Sequence, residues 1–118
     1  MNLEVENLHA AWQWAVSLRQ VAALEGAAEV LGSYLEMRSA FAQGREAFAA
    51  AAAALAGLEG DPQARRVRGI CLAYQGLFEK HLGQYEAAYQ SLGQGLAALE
   101  PLDAAKEMAF ARYILGKT

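Results

Sequence analysis

One hairpin signature, present twice, restricts this chain more than any other feature. Residues 76–92 read Gly-Leu-Phe-Glu-Lys-His-Leu-Gly-Gln-Tyr-Glu-Ala-Ala-Tyr-Gln-Ser-Leu. A small residue inside one helix, a glycine break at Gly83, then an aromatic and a small Ala on the next helix describe two antiparallel helices packed closely. An offset of 44 residues lays the same punctuation on an earlier stretch: Gly32 falls on Gly76, Phe41 on Tyr85, Gly44 on Ala88, Phe48 on Leu92 and Ala51 on Gly95. Small residues meet small ones, and large apolar residues meet large ones. A stacked repeat produces this agreement, because each unit must bury the same positions.

The rest of the chain reads as helices on either side of this unit. Its 118 residues suffice for one domain with a modest core. Hydrophobic residues make up 55%, many of them helix-forming Ala, and there are only two prolines and no alternating β-branched runs, so the expected class is all-α. A first helix runs to about Leu18. Leu8, Trp12 and Ala15 share one stripe, and Trp12 and Trp14 cannot face the same way. A turn is expected near Arg19-Gln20, although no Gly or Pro marks it and one long helix to Ser39 stays open. Further helices are expected over Val21–Arg38 and Phe41–Leu58.

Gly60-Asp61-Pro62 then closes one helix and opens the next, with Asp61 as cap and Pro62 in the first turn. That fourth helix extends to His81 or Leu82. The fifth spans Tyr85–Leu99, and a sixth, capped by Asp103, carries Met108, Ala111, Ile114 and Leu115. The plan is six helices in three hairpins, about 3–38, 41–82 and 85–116, with the repeat register at 21–58 and 63–100.

Within each unit the spacing resembles the tetratricopeptide repeat, which places Leu-Gly midway along its first helix and an Ala and an aromatic four residues apart on its second. Leu31-Gly32 with Gly44 and Phe48 carries the first copy; Gln75-Gly76 with Gly83, Tyr85, Ala88, Leu92 and Pro101 carries the second. Neither copy has the Trp of that motif, Glu79 stands where it has Tyr, and the period exceeds the usual ~34 residues. The opening Glu-Asn-Leu-His-Ala-Ala-Trp-Gln-Trp-Ala and the stretch Ser39–Phe48 are similar to the sensor regions of MalT-like bacterial ATP-dependent transcriptional regulators. The resemblance implies a right-handed stack of antiparallel hairpins whose concave face is lined by the first helix of each pair. By position that face would present Glu29, Ser33, Glu36 and Met37 from one pair and Ala73, Leu77, Lys80 and His81 from the other. It implies a non-catalytic interaction or sensing module that takes a protein or peptide partner. A free-standing adaptor that dimerises through its helices is the alternative.

Charge and motif chemistry narrow the partner classes. A net charge of −3 and a pI near 5.3 argue against direct nucleic-acid or anionic-membrane binding. Cys71 is the single cysteine, the N-terminus lacks signal-peptide order, and the apolar run Ala47–Leu58 is too short to span a bilayer. A cytoplasmic location is expected. The terminal Ala111–Thr118 matches a relaxed phosphate-loop pattern, but bulky Tyr113, Ile114 and Leu115 occupy the cradle and the preceding residues have helical period, so the match reads as accidental. His9 and His81 lack ligands at zinc spacing, and Cys71 lacks a base, so neither metal, cofactor nor enzymatic chemistry is expected.

Arg65, Arg66 and Arg68 read as a solvated face, or as cations compensated by Glu59, Asp61 or an anionic partner. Met108, Phe110, Ala111, Ile114 and Leu115 form no polar cap, so part of the last helix is expected to be exposed. That face would be covered by homo-oligomerisation or by residues beyond Thr118.

Overall fold

A computed structural model describes residues 3–58, 60–102 and 105–116. Six α-helices follow in order: α1 Leu3–Ser17, α2 Val21–Met37, α3 Phe41–Leu55, α4 Pro62–His81, α5 Tyr85–Leu99 and α6 Ala105–Gly116. Single 3-10 turns, Ala56–Leu58 and Glu100–Leu102, tighten the ends of α3 and α5. Among the described residues there is no strand.

Three of the turns share one design. Arg19, Ser39 and Gly83 adopt left-handed φ values of 53°, 56° and 79° immediately after α1, α2 and α4. At each, two backbone bonds close the helix end: Gln20 N donates to Ala15 O at 2.8 Å, Ala40 N to Leu35 O at 2.9 Å and Gln84 N to Glu79 O at 2.8 Å, each beside a bond from the preceding residue. This is the Schellman closure, which satisfies carbonyls that the helix leaves orphaned. The turn after α1 therefore settles the question that the sequence left open, and α1 and α2 are separate helices. At α4 the start is side-chain capped, with the Asp61 carboxylate accepting from Gln63 N at 3.1 Å ahead of Pro62.

Long-range contacts fix how the helices run. Glu25 near the start of α2 pairs with Arg66 near the start of α4, and Glu36 near the end of α2 meets His81 at the end of α4. The two helices therefore lie parallel. Lys80 at the end of α4 reaches Ile114 near the end of α6, which adds α6 to the same layer. α5 runs the opposite way: Gly69 faces Leu99, and Gly76 faces Leu92 and Ala88. A Cβ on Gly76 would sit 2.6 Å from Leu92 Cγ and 3.3 Å from the Ala88 carbonyl oxygen. Contacts between carbons are favourable only from about 3.5 Å, so these helices approach at a distance that only glycine allows. The smallest dimension of the molecule, 20 Å, matches two helix layers of about 10 Å each.

Aromatic rings fill the space at the α1–α3–α4 junction. Trp12 is buried, stacks obliquely on Phe48 at 5.0 Å between centroids, and donates its indole N–H to the Ala47 carbonyl at 3.0 Å. Trp14, two residues on, is 58% exposed, so the two tryptophans do face opposite ways. Phe48 also stacks on Tyr74 and Phe78, and the Phe78 ring occupies the space left by Gly44. A smaller cluster of Ala73, Leu92, Ala111 and Ile114 joins α4, α5 and α6.

The apolar side of the last helix is covered in part. Ala111 and Ile114 are buried, and Met108 and Phe110 are half-buried, because α6 turns its apolar side onto α4 and α5. The side chain of Leu115, the expected cap at Asp103, and Lys117 and Thr118 of the phosphate-loop match lie outside the described residues. Residues 105–116 form helix rather than the Gly-rich cradle of a phosphate loop. Large apolar exposure sits on Trp14 of α1 and Leu18 just after it, on Val30 and Met37 of α2, on Tyr85 and Tyr89 of α5, and on Tyr113 of α6 itself.

Candidate partner-binding face

The layer made by α2, α4 and α6 carries two neighbouring grooves. The first, of about 740 Å³, lies at the C-terminal ends of these helices and the start of α5, and is lined by Glu36, Leu77, Lys80, His81, Tyr85, Tyr89, Tyr113 and Ile114. The second, of about 460 Å³, lies nearer their N-terminal and middle parts. Ala28, Ile70, Tyr74 and Phe110 form its apolar lining, and Glu25, Glu29, Ser33 and Glu107 its polar one.

The expected binding residues divide between them. Glu36, Leu77, Lys80 and His81 line the first groove, and Glu29 and Ser33 the second. Met37 lines neither and is 80% exposed at the end of α2. Ala73 is a correction. The offset of 44 pairs it with exposed Glu29, yet it is fully buried, because α6 lies across α4 there and nothing comparable covers α2 at Glu29.

Several side chains are already committed. The Lys80 ammonium donates to the Ile114 carbonyl at 2.8 Å, which ties α4 to α6 and favours the negative end of the α6 dipole. His81 Nε2 lies 3.0 Å from a Glu36 carboxylate oxygen, and its ring stacks nearly parallel on Phe41 at 4.3 Å. The first groove thus has a fixed floor with tyrosines on its walls.

The arginine cluster is structural rather than a solvated face. Arg65 donates to the Ala98 carbonyl at 3.0 Å, at the C-terminal end of α5, and Arg68 donates to the Ala52 carbonyl at 3.2 Å, near that of α3. Both place positive charge where a helix terminus is negative, which outweighs their awkward position at the start of α4. Arg66 forms an ion pair with Glu25, to which Gln63 also donates. The hydrogen bond from Arg66 holds the Glu25 carboxyl below its usual range. Asp61 is used as a cap, and the Glu59 side chain is outside the described residues.

Glu79 marks the same change from motif to structure. It is 1% exposed and accepts from Ser91 Oγ at 2.6 Å, from Gln75 Nε2 at 3.2 Å and from Arg45 Nε at 3.3 Å. The offset of 44 pairs it with Leu35, a buried apolar residue. One buried position is thus apolar in the first unit and a satisfied polar junction of α3, α4 and α5 in the second.

Cys71 is fully buried, and burial pushes its thiol up to about 12, so it stays protonated and shielded at neutral pH. Burial, together with the charges of Glu29 and Glu36, pushes the Tyr74 phenol up to about 12 as well. Among the described residues no group of three His, Cys, Asp or Glu side chains is placed to hold a metal ion. Nor is any helix there long and apolar enough to cross a membrane.

Sequence reasoning missed Tyr85, Tyr89 and Tyr113, and the second groove's Glu25, Ile70, Tyr74, Glu107 and Phe110. A signal existed for the first pair. Tyr89 stands one residue past Ala88, off the stripe of Ala88, Leu92, Gly95 and Leu99 that packs inward, and Tyr85 is its neighbour four residues back on α5. No sequence signal brings Phe110 to Tyr74, a centroid distance of 4.9 Å, since that depends on how α6 docks. Comparison with protein-family models, with curated proteins and with solved structures finds no match for this chain.

Proposed function

We propose that this chain is a non-catalytic helical-repeat module that binds a protein or peptide partner on the face formed by α2, α4 and α6. One observation carries the reading: six of the eight residues expected on a repeat's concave face line two adjoining grooves in one helix layer. The volumes fall in the range that accommodates ligand groups or several partner side chains. The polar features that could have suggested other chemistry are engaged within the fold. The arginines cap helices, Glu79 is buried among three donors, and Cys71 is inert.

A setting in a bacterial signalling or transcription-regulatory protein follows from the likeness of residues 6–15 and 39–48 to regulator sensor regions. A reading frame that joins these residues to a nucleotide-binding domain would support that setting; a short stand-alone frame would count against it. The binding reading is tested by titrating the 15N-labelled chain with arrayed 12-residue peptides. Shifts concentrated at Ser33, Glu36, Leu77 and His81 are expected. Shifts confined to α1 or to the outer side of α5 would refute it.

A second reading, a dimerising adaptor, has its own support in Trp14 and Leu18, which expose one face of α1 at 58% and 52%. Sedimentation showing a monomer across a wide concentration range would remove it.

A further inference from the structure

The two grooves differ in charge. The first mixes Glu36 with Lys80 and His81. The second holds Glu25, Glu29 and Glu107 around an apolar lining, and among the described residues no Lys, Arg or His lines it. Glu25 is matched by Arg66 from outside the groove, and no described residue forms an ion pair with Glu29 or Glu107. These two carboxylates come from different helices, α2 and α6, with Tyr74 and Phe110 also lining the space. Burial first, and then the charges of Glu29 and Glu36, raise the Tyr74 phenol that lines this groove.

We propose, resting on the binding-face reading above, that this groove docks a cationic peptide segment. One apolar side chain, Leu or aromatic, enters between Ala28, Ile70, Tyr74 and Phe110, and Lys or Arg on either side of it meets Glu29 and Glu107. Charge complementarity selects this occupant. An acidic segment would place its carboxylates beside two that no described residue pairs, and a purely apolar segment would desolvate them without return. The apolar lining supplies the burial that exposed ion pairs alone do not, and the carboxylates supply steering and register.

The test uses the full chain and three sets of fluorescein-labelled 12-residue peptides. Each carries a central Leu or Phe, flanked by Lys/Arg, by Asp/Glu, or by Ser/Gly. Anisotropy gives affinity, and amide shifts at Ser33, Ile70 and Phe110 give location. The Lys/Arg set should bind at least roughly tenfold more tightly than the Asp/Glu set, weaken with added salt, and lose roughly fivefold in the Glu29→Gln/Glu107→Gln variant. Preference for the acidic or neutral set with the same residues shifting would overturn the cationic assignment while leaving the binding face intact. No shift at these residues with any set would overturn the proposal, and silence at Glu36, Leu77 and His81 as well would overturn the binding face with it. A second copy, inserting Trp14 of its α1 with Leu18 and Arg19 of the turn that follows, is the competing occupant. Concentration-dependent shifts at Ser33, Ile70 and Phe110 without peptide, abolished by Trp14→Ser, would overturn the proposal in its favour.

Discussion

Replacing Gly76 by Leu tests the close approach of α4 and α5. The first atom added, Cβ, would lie 2.6 Å from Leu92 Cγ and 3.3 Å from the Ala88 carbonyl. Restoring ordinary carbon contact requires a separation of about 1 Å, or expulsion of the fully buried Leu92 from its site. Neither adjustment is local, because Gly69 meets Leu99 and the Gly95 backbone on the same seam. Overpacking of this kind costs about 1–3 kcal/mol, offset by up to about 1 kcal/mol from replacing a mid-helix glycine. The expected net loss is about 1–2 kcal/mol, a fall in urea midpoint on the order of 1 M. Gly93→Ala is the matched reference: it is helical and exposed, with nothing within 4 Å of the added Cβ, so it should stabilise by about 0.5–1 kcal/mol. Equilibrium urea unfolding followed by far-ultraviolet circular dichroism measures both. If the two glycine variants shift the midpoint in the same direction by similar amounts, the close α4–α5 contact does not exist.

Ser39→Gly should stabilise by about 0.5–1 kcal/mol in the same assay, since Ser39 holds a left-handed φ of 56° that glycine adopts freely; destabilisation would show that the turn is misassigned. Glu79→Ala should cost about 1–3 kcal/mol by leaving Ser91 and Gln75 without their acceptor, and Glu79→Gln clearly less; equal effects would deny the network. In a Trp14→Phe variant the remaining indole, Trp12, should resist acrylamide quenching until the protein unfolds, because it is 2% exposed. The contribution of Cys71 and Tyr74 to stability should be complete below pH about 9 and be lost progressively toward pH 12. Cys71 and Tyr74 keep their protons in the folded state up to about 12, whereas the unfolded chain releases them near 9.0 and 10.0. Tyr74→Phe should remove part of that alkaline loss, and an unaltered pH profile would contradict the assignment.

Much of the fold could be read from residue spacing, because close helix packing leaves a compositional trace. Gly32, Gly44, Gly76 and Ala88 marked positions where another element approaches, and all four are buried in the structure. Pro62 and Gly83 marked boundaries for reasons that are local to the backbone. The turns at Arg19 and Ser39 carried no such mark, since a non-glycine left-handed residue leaves no signature beyond a modest strain.

The binding face was legible only in part. Six of the eight residues expected on that face line the two grooves, but Met37 lines neither and burial of Ala73 depends on where α6 lands. The arginine cluster was misjudged for a related reason. Its partners are the carbonyls of α3 and α5 near their C-terminal ends, and a helix terminus has no residue identity in a sequence.

The location of the binding surface is the central claim, and site-directed crosslinking tests it most directly. A photoreactive benzoylphenylalanine replaces either Ser33, on the α2–α4–α6 face, or Gln94, exposed on α5. Each variant is irradiated with the Lys/Arg-flanked peptide set, and adducts are counted by mass spectrometry. The account predicts adducts from position 33 and none above background from position 94. Adducts from position 94 alone, or equal yields from both, would contradict it.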